Sequence, residues 1–479
     1  MFKLFAKISL FSTLFSLPFA GISVGVESSI QSLDFSGSGP LFLSDNQIQE
    51  DLHQAERLLQ DNYVRYPLLE KAGVSWQSAF KKLADQMLTK TNPTLTHHFQ
   101  KQLIKALEFT EDSNLQADLF LNKRHYVQRI EPKVAFYSGI RMAQQQERFR
   151  VLPSLKQPKN IVNHWFIDCK TTQEVFFPVL PERQSELLFM LGQQANHQLQ
   201  SLDCTFENDS AVKQQILLPL IMSEAELNRP EMPVYEYKVG RTPYVRWYRD
   251  GKPEEIAVKQ FQKLARKLQT TRTLIIDVRG NRNGSFAFIE KWLKEFTSNH
   301  WKNVIVRERQ TLPVLKGLLN RVQWNLHHST PRLLIGQHQL EQKRMQLQAL
   351  INHFRDKGID EKWVETKFIF NGQNNAPKWN TRLIVIANQH CGNGCQFLAA
   401  LTRQIPNGIL IGTNTGPFPK NISGPIYQLK HSSIMLSFSH RMHLDHRGKP
   451  VSPSGYLPDY WLFPPMGLTD ILRFASKSN

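Results

Sequence analysis

The chain has 479 residues, of which 41% are hydrophobic and 21% charged, and its formal net charge is +18. That length exceeds one ordinary compact domain, and the composition excludes a disordered or fibrous chain. Lysine and arginine are spread along the chain without an arginine-rich block or a Cys/His finger, which argues against nucleic acid as a partner and for acidic substrates or association with an anionic envelope surface.

Met1 to Lys7 carries two lysines and no acid, Ile8 to Phe19 is almost wholly apolar or hydroxylic, and Ala20-Gly21 is small. This succession predicts a signal peptide over residues 1–22 and export across the inner membrane, to the periplasm or the exterior. No later apolar run reaches the roughly 18 residues of a membrane span, so none is expected after cleavage. In an oxidising compartment Cys169, Cys204, Cys391 and Cys395 permit two disulfides, and Cys169–Cys204 with Cys391–Cys395 is the simplest of three pairings. A metal site at His390, Cys391 and Cys395 lacks a second ligand pair at any recognised spacing, so neither metal nor cofactor is expected.

A helical N-terminal domain is expected over 23–114, after a Gly/Ser-rich lead-in. Ser44 with Gln47 three residues on forms a helix-start signal, followed by Ile48, Leu52, Ala55 and Leu59 on one face. Trp76, Phe80, Leu83 and Met87 mark a second helix, and Phe99, Leu103, Ala106 and Leu107 a third. Residues 115–234 read as a mixed α/β region, with strands at Asn160–Ile167 and Val175–Leu180 and a helix over Glu182–Leu199. Beyond Pro230 and Pro233 the pattern sharpens into strand, helix and strand in alternation, which predicts a βαβ sheet layer over 235–466. Thr273–Val278 and Leu383–Ala387 are continuous apolar runs of the kind buried on both faces. Residues 302–380, with a helix over Gln337–Arg355, read as an insertion capping the sheet edge, and 467–479 as a C-terminal tail.

Two polar turns follow the apolar strands. In Asp277-Val278-Arg279-Gly280-Asn281, backbone N–H groups can converge on an oxyanion. In Ala387 to Gln396 a Gly-containing turn precedes a helix, the geometry that holds a nucleophile at a helix N-terminus. That turn has no serine; Cys391 or Cys395 could act there as a thiolate, against the alternative of a structural disulfide. Ser432, Ser433, Ser437, Ser439, His440 and His443 lie on an expected strand nearby.

Thr273 to Ser285 (TLIIDVRGNRNGS), Arg382 to Gly416 (RLIVIANQHCGNGCQFLAALTRQIPNGILIGTNTG) and Gly455-Tyr456-Leu457-Pro458-Asp459 resemble, in that order, three blocks of the tail-specific (C-terminal-processing) serine peptidase family. The resemblance implies an α/β chain whose helical N-terminal domain precedes a ClpP/crotonase-like βαβ domain, acting on unfolded or C-terminal peptide segments through a serine nucleophile. Counting back from Gly412, that serine falls on Asn393, with Gln396 where Glu is usual. A carboxamide cannot be deprotonated to attack a carbonyl. The family's usual lysine falls near Phe418, and Lys420 lies two residues beyond as the substitute base. The resemblance places the oxyanion hole at Gly280, Gly284 and Gly394, with Arg282 and Asn283 where Gly-Gly is preferred. Asp112-Ser113-Asn114 resembles an Asp-Ser-His element with Asn in place of His. The alternative to a serine-type peptidase is a non-catalytic peptide-binding pseudo-peptidase or envelope adaptor.

Overall fold

A computed structural model describes residues 38–88, 93–131, 133–153, 159–170, 174–181, 186–195, 201–222, 234–239, 242–247, 263–281, 286–328, 334–371, 378, 380–392, 394–405, 407–416, 424–463 and 466–476. The segment expected to be a signal peptide lies outside them.

The first long helix, Asp45–Asn62, begins at Ser44 with a capping box: the Ser44 hydroxyl accepts from the Gln47 N–H while the Gln47 carboxamide oxygen accepts from the Ser44 N–H. Ile48, Leu52, Ala55 and Leu59 are all buried, and the helices Trp76–Leu88 and Thr96–Ala106 add Trp76, Phe80, Phe99 and Leu103 to the same core. That core is completed from the other end of the chain by Tyr427, Leu429, Ile434, Leu436 and Phe438. The strand Met435–Ser437 pairs antiparallel with Gln116–Leu121. Fully buried Asp51 accepts the N–H groups of His431 at 2.9 Å and Ser432 at 2.8 Å, so its charge is met by backbone donors.

The 115–234 region departs from the mixed expectation: its described residues hold strands and one 3-10 turn, Lys159–Ile161, with no α-helix. Trp165–Cys169 and Glu174–Val179 are strands, and Leu188–Ala195 is a strand inside the segment expected to be helical. It pairs with both Val134–Gln145 and Glu174–Val179. An apolar run buried on both faces has no readable period, so the pairing decides its state. At Gly192 an added Cβ would lie 2.1 Å from the Phe136 carbonyl oxygen, so only glycine allows this approach. The strands Lys213–Pro219, Ser201–Glu207, Trp165–Cys169, Arg148–Val151 and Val134–Gln145 are successive neighbours, and Ile221–Met222 continues from the first to pair with the last. The ribbon therefore closes on itself around Phe136, Ile140, Met142, Leu202, Phe206 and Leu218. Cys169 and Cys204 face each other in register across it and are disulfide-bonded.

From Glu174–Val179 the sheet runs on through Tyr460–Trp461, Ile409–Gly412, Arg382–Ala387, Thr273–Asp277 and Thr242–Trp247, all parallel, and ends in the antiparallel strand Val234–Val239. Leu274 and Ile276 face the helices Phe286–Phe296 and Gly394–Thr402. Ile275 and Ile384 face the other way, onto Ile471 and Ala475. The latter two belong to an amphipathic helix, Leu468–Ser476, so the expected tail is part of the sheet's covering layer. In the 302–380 segment, strands His300–Thr311 and Glu361–Asn371, with helices Leu312–His328 and Leu334–Asp356 between them, form a three-stranded sheet with Arg441–Leu444, and Phe370 joins the core of the large sheet.

His440, between the strands Met435–Ser437 and Arg441–Leu444, is fully buried and neither ring nitrogen has a hydrogen-bond partner. Burial holds its pKa down at about 3, with Arg441 and Lys343 lowering it and Glu308 opposing. Burial also holds His443 at about 3, aided by Arg441 and Arg65. Between the ordinary histidine value of 6.5 and about 3 the unfolded chain binds protons that the folded protein does not. Stability is therefore complete above the ordinary value and falls as pH drops below it. Urea denaturation at about pH 7 and about pH 5 should show roughly 2 kcal/mol lost per buried histidine, and His440→Gln should remove one share of that loss. A profile unchanged by the substitution would mean that His440 accepts its proton in the folded state.

Candidate active site

The strands Thr273–Asp277 and Arg382–Ala387 are parallel neighbours with Asp277 opposite Ile386, so the turns that follow them leave the same sheet edge side by side. The carboxyl ends of parallel strands are where open α/β sheets bind ligands.

In the first turn, the Asp277 carboxylate has no solvent exposure. It accepts from Tyr244 Oη at 2.6 Å, from the Arg279 backbone N–H at 3.1 Å, and from Arg279 Nε and Nη2 at 3.0 and 2.8 Å. Burial raises the Asp277 pKa, but the Arg279 charge, its hydrogen bonds and the Tyr244 hydroxyl outweigh this and hold the carboxyl below its ordinary value. Burial first, then the Asp277 charge, pushes the Tyr244 hydroxyl far up, so it is always a donor. This cluster ties the Thr242–Trp247 strand to the turn.

In the second turn, Asn388 Oδ1 accepts the His390 N–H at 3.2 Å and, across the gap, the Gly280 N–H at 2.9 Å. Gly392 N–H donates to the Asn281 carbonyl at 2.9 Å, which locks the two turns together. Cys391 and Cys395 are fully buried and disulfide-bonded to each other.

The strand Ile409–Gly412 brings up a third segment. Gly412 has φ +127°, and a Cβ there would sit 1.9 Å from the Ala387 oxygen, so no other residue passes this point. Gly416 N–H then donates to the Cys391 carbonyl at 3.1 Å, and Gln396 Nε2 donates to the Gly416 carbonyl at 2.5 Å. Thr415 exchanges two hydrogen bonds with Tyr456, and Asp459 accepts from the Leu410 N–H while pairing with Arg403 at 3.2 Å. The three sequence blocks thus meet at one sheet edge.

Of the expected site residues, Asn393, Gly284, Lys420 and the Phe418 position lie outside the described residues. Gly394 opens the helix Gly394–Thr402 beside the second turn. Gly280 lies at this edge, and its N–H is donated to Asn388. The thiolate alternative is corrected, because both sulfurs are in the disulfide. The serine-rich strand serves packing. Ser437 Oγ accepts from Arg321 Nη2, Ser432 N–H donates to Asp51, and the Ser439 carbonyl accepts from Val64 N–H. Ser439 and His443 share with Asp112 and Asn114 the lining of a cavity of about 30 Å³, room for about one water. The Asp112 carboxylate is already held by Tyr63 Oη and the Asn114 N–H. Asn388 was missed by the motif reading; an Asn directly after a buried strand, accepting from the N–H two residues on, is an Asx turn.

Residues 244–462 match the model of Peptidase family S41. The C-terminal domain belongs to this peptidase family. The S41 region takes in all three blocks, and the expected α/β class, with a helical N-terminal region ahead of a sheet-rich domain, is the observed one. No curated protein matches the chain in sequence. Among solved structures, mature CPAF is 14% identical with a TM-score of 0.43, over 91% of this chain and 95% of that one. The photosystem II D1 C-terminal processing protease is 12% identical with a TM-score of 0.34, over 90% and 96%. The tricorn protease is 11% identical with a TM-score of 0.30, over 87% of this chain and 34% of its own. All three scores are below 0.5, so the assignment to S41 rests on the family model.

Asp277→Ala would strand the buried Arg279 guanidinium and should cost about 3–5 kcal/mol, whereas Tyr244→Phe, which removes one charge-assisted hydrogen bond, should cost about 1.5–3. Urea unfolding of the two variants checks the order. Equal and small losses would mean that the cluster is hydrated.

Proposed function

We propose that this chain is an exported S41 protein that binds unfolded or C-terminal peptide segments at the sheet edge where its three motif blocks meet, and that it does so without cutting them. The observation that carries the reading is the Gly280 N–H closed onto Asn388 Oδ1: a donor that would stabilise an oxyanion is already satisfied in the resting protein. Asn393 at the serine position and the disulfide-bonded Cys391 and Cys395 support it, since none of the three side chains can attack a carbonyl. An extended peptide needs only main-chain hydrogen bonds to dock, and these require no nucleophile.

Export is supported by the charged, apolar and small-residue succession at the N-terminus and by two disulfides, which persist in an oxidising compartment. The net charge of +18 supports an anionic envelope surface as the setting.

Purified mature protein should bind a fluorescent unfolded polypeptide, read by anisotropy, and leave it intact. Asn393→Ser should introduce slow cleavage, and adding Lys420→Ala should abolish it if that lysine serves as base. Cleavage by the natural protein that survives repurification would replace this reading with a working peptidase whose nucleophile lies elsewhere. No binding by either form would sink both.

A further inference from the structure

The strand Arg441–Leu444 runs into a turn, Asp445-His446-Arg447-Gly448-Lys449-Pro450, rich in basic residues. Gly448, at φ +77°, supplies its left-handed step. Asp445 holds the rest: its Oδ1 accepts the N–H groups of Arg447 at 2.9 Å and Lys449 at 2.8 Å, while its own N–H donates to the Lys449 carbonyl at 2.8 Å. The acid is therefore spent on the backbone of the turn, and the side chain of Arg447 is exposed outside that network.

This turn forms one wall of an open cavity of about 480 Å³, and the end of the helix Gly394–Thr402 and the Gly455–Asp459 block form others. Ala400, Val451 and Leu457 give it apolar surface, and Leu457 is 46% exposed, so molecules in solution reach it. No residue of the two turns at the candidate active site lines it. Its second acid, Asp459, pairs with Arg403 at 3.2 Å and accepts the Leu410 N–H at 2.8 Å, and Arg403 donates further to the Leu457 carbonyl. Arg447 differs: its Nε donates to His446 Nε2 at 3.3 Å, and its Nη groups donate to none of the described residues. Both acids are thus answered within the protein and one guanidinium fork is not. Ligand-sized volume, apolar walls and a single forked donor together suit an organic carboxylate.

We propose that this cavity binds a carboxylate carried on a small apolar body, with Arg447 taking the two oxygens and Ala400, Val451 and Leu457 covering the body. A free branched-chain acid and the last residue of a peptide present the same group. The site adjoins the edge where the motif blocks meet, because Tyr456 lines the cavity and exchanges hydrogen bonds with Thr415. It does not rest on the peptide binding proposed above.

The test titrates the full mature chain by calorimetry with N-acetyl-leucine and with N-acetyl-leucinamide, which differ only in acid against amide. The acid should bind, and the amide at least about tenfold more weakly. Arg447→Gln should lose about tenfold in affinity for the acid with an unchanged circular dichroism spectrum, since Asp445 bonds the backbone and not the guanidinium. Leu457→Asp, which sets a like charge on the exposed wall, should lose as much. Equal binding of acid and amide, acid binding unaltered by both substitutions, or no binding of the acid would each overturn the site. A longer peptide ending in a free leucine that binds more tightly than N-acetyl-leucine identifies a peptide end as the occupant, and equal affinity identifies a free acid. An unfolded polypeptide with an amidated C-terminus should bind the wild type and Arg447→Gln alike at the sheet edge. Failure of that binding removes the edge reading and leaves this site, and failure of the acid to bind does the reverse.

Discussion

Parallel pairing of Thr273–Asp277 with Arg382–Ala387 is the constraint from which the candidate site follows. Leu274–Ile276 and Leu383–Ala387 are apolar on both faces, so a slip of one residue would exchange the helices Phe286–Phe296 and Gly394–Thr402 for the C-terminal helix as partners of these side chains. With the register held, Asp277 and Ile386 end side by side. The turns beyond them come close enough for Gly280 to donate to Asn388 and for Gly392 to donate to Asn281. The Asp277–Arg279–Tyr244 cluster then fixes the first turn to its other neighbour.

What converges at this edge is mostly backbone. The helical N-terminal region belongs to the same unit, because Met435–Ser437 completes its sheet and Phe438 its core.

Much of this was legible from residue patterns because the signals were local. Ser44 and Gln47 are three residues apart and make their bonds within one turn. Leu274–Ile276 is an uninterrupted apolar run, and burial on both faces is what that demands. The misses share the opposite property. Leu188–Ala195 is covered on both faces and shows no period-two alternation, and only pairing with other strands makes it extended. Closure of the 134–222 ribbon depends on Ile221–Met222 reaching Phe136 and Tyr137. The inserted hairpin found its third strand at Arg441–Leu444, on the far side of the nucleophile-position block.

By itself the sequence determined the residue types at the candidate site: three blocks in family order, an Asn and not a serine at 393, and cysteines on either side of it. These are facts of residue type, and no folding can supply a hydroxyl at a carboxamide. Tertiary structure alone decided which polar groups are free to act. Whether the Gly280 N–H is open depends on where Asn388, 108 residues away, places its side-chain oxygen. Whether Cys391 is a thiol depends on Cys395 lying within bonding distance across the turn. Both are distances between groups, and a linear pattern does not contain them.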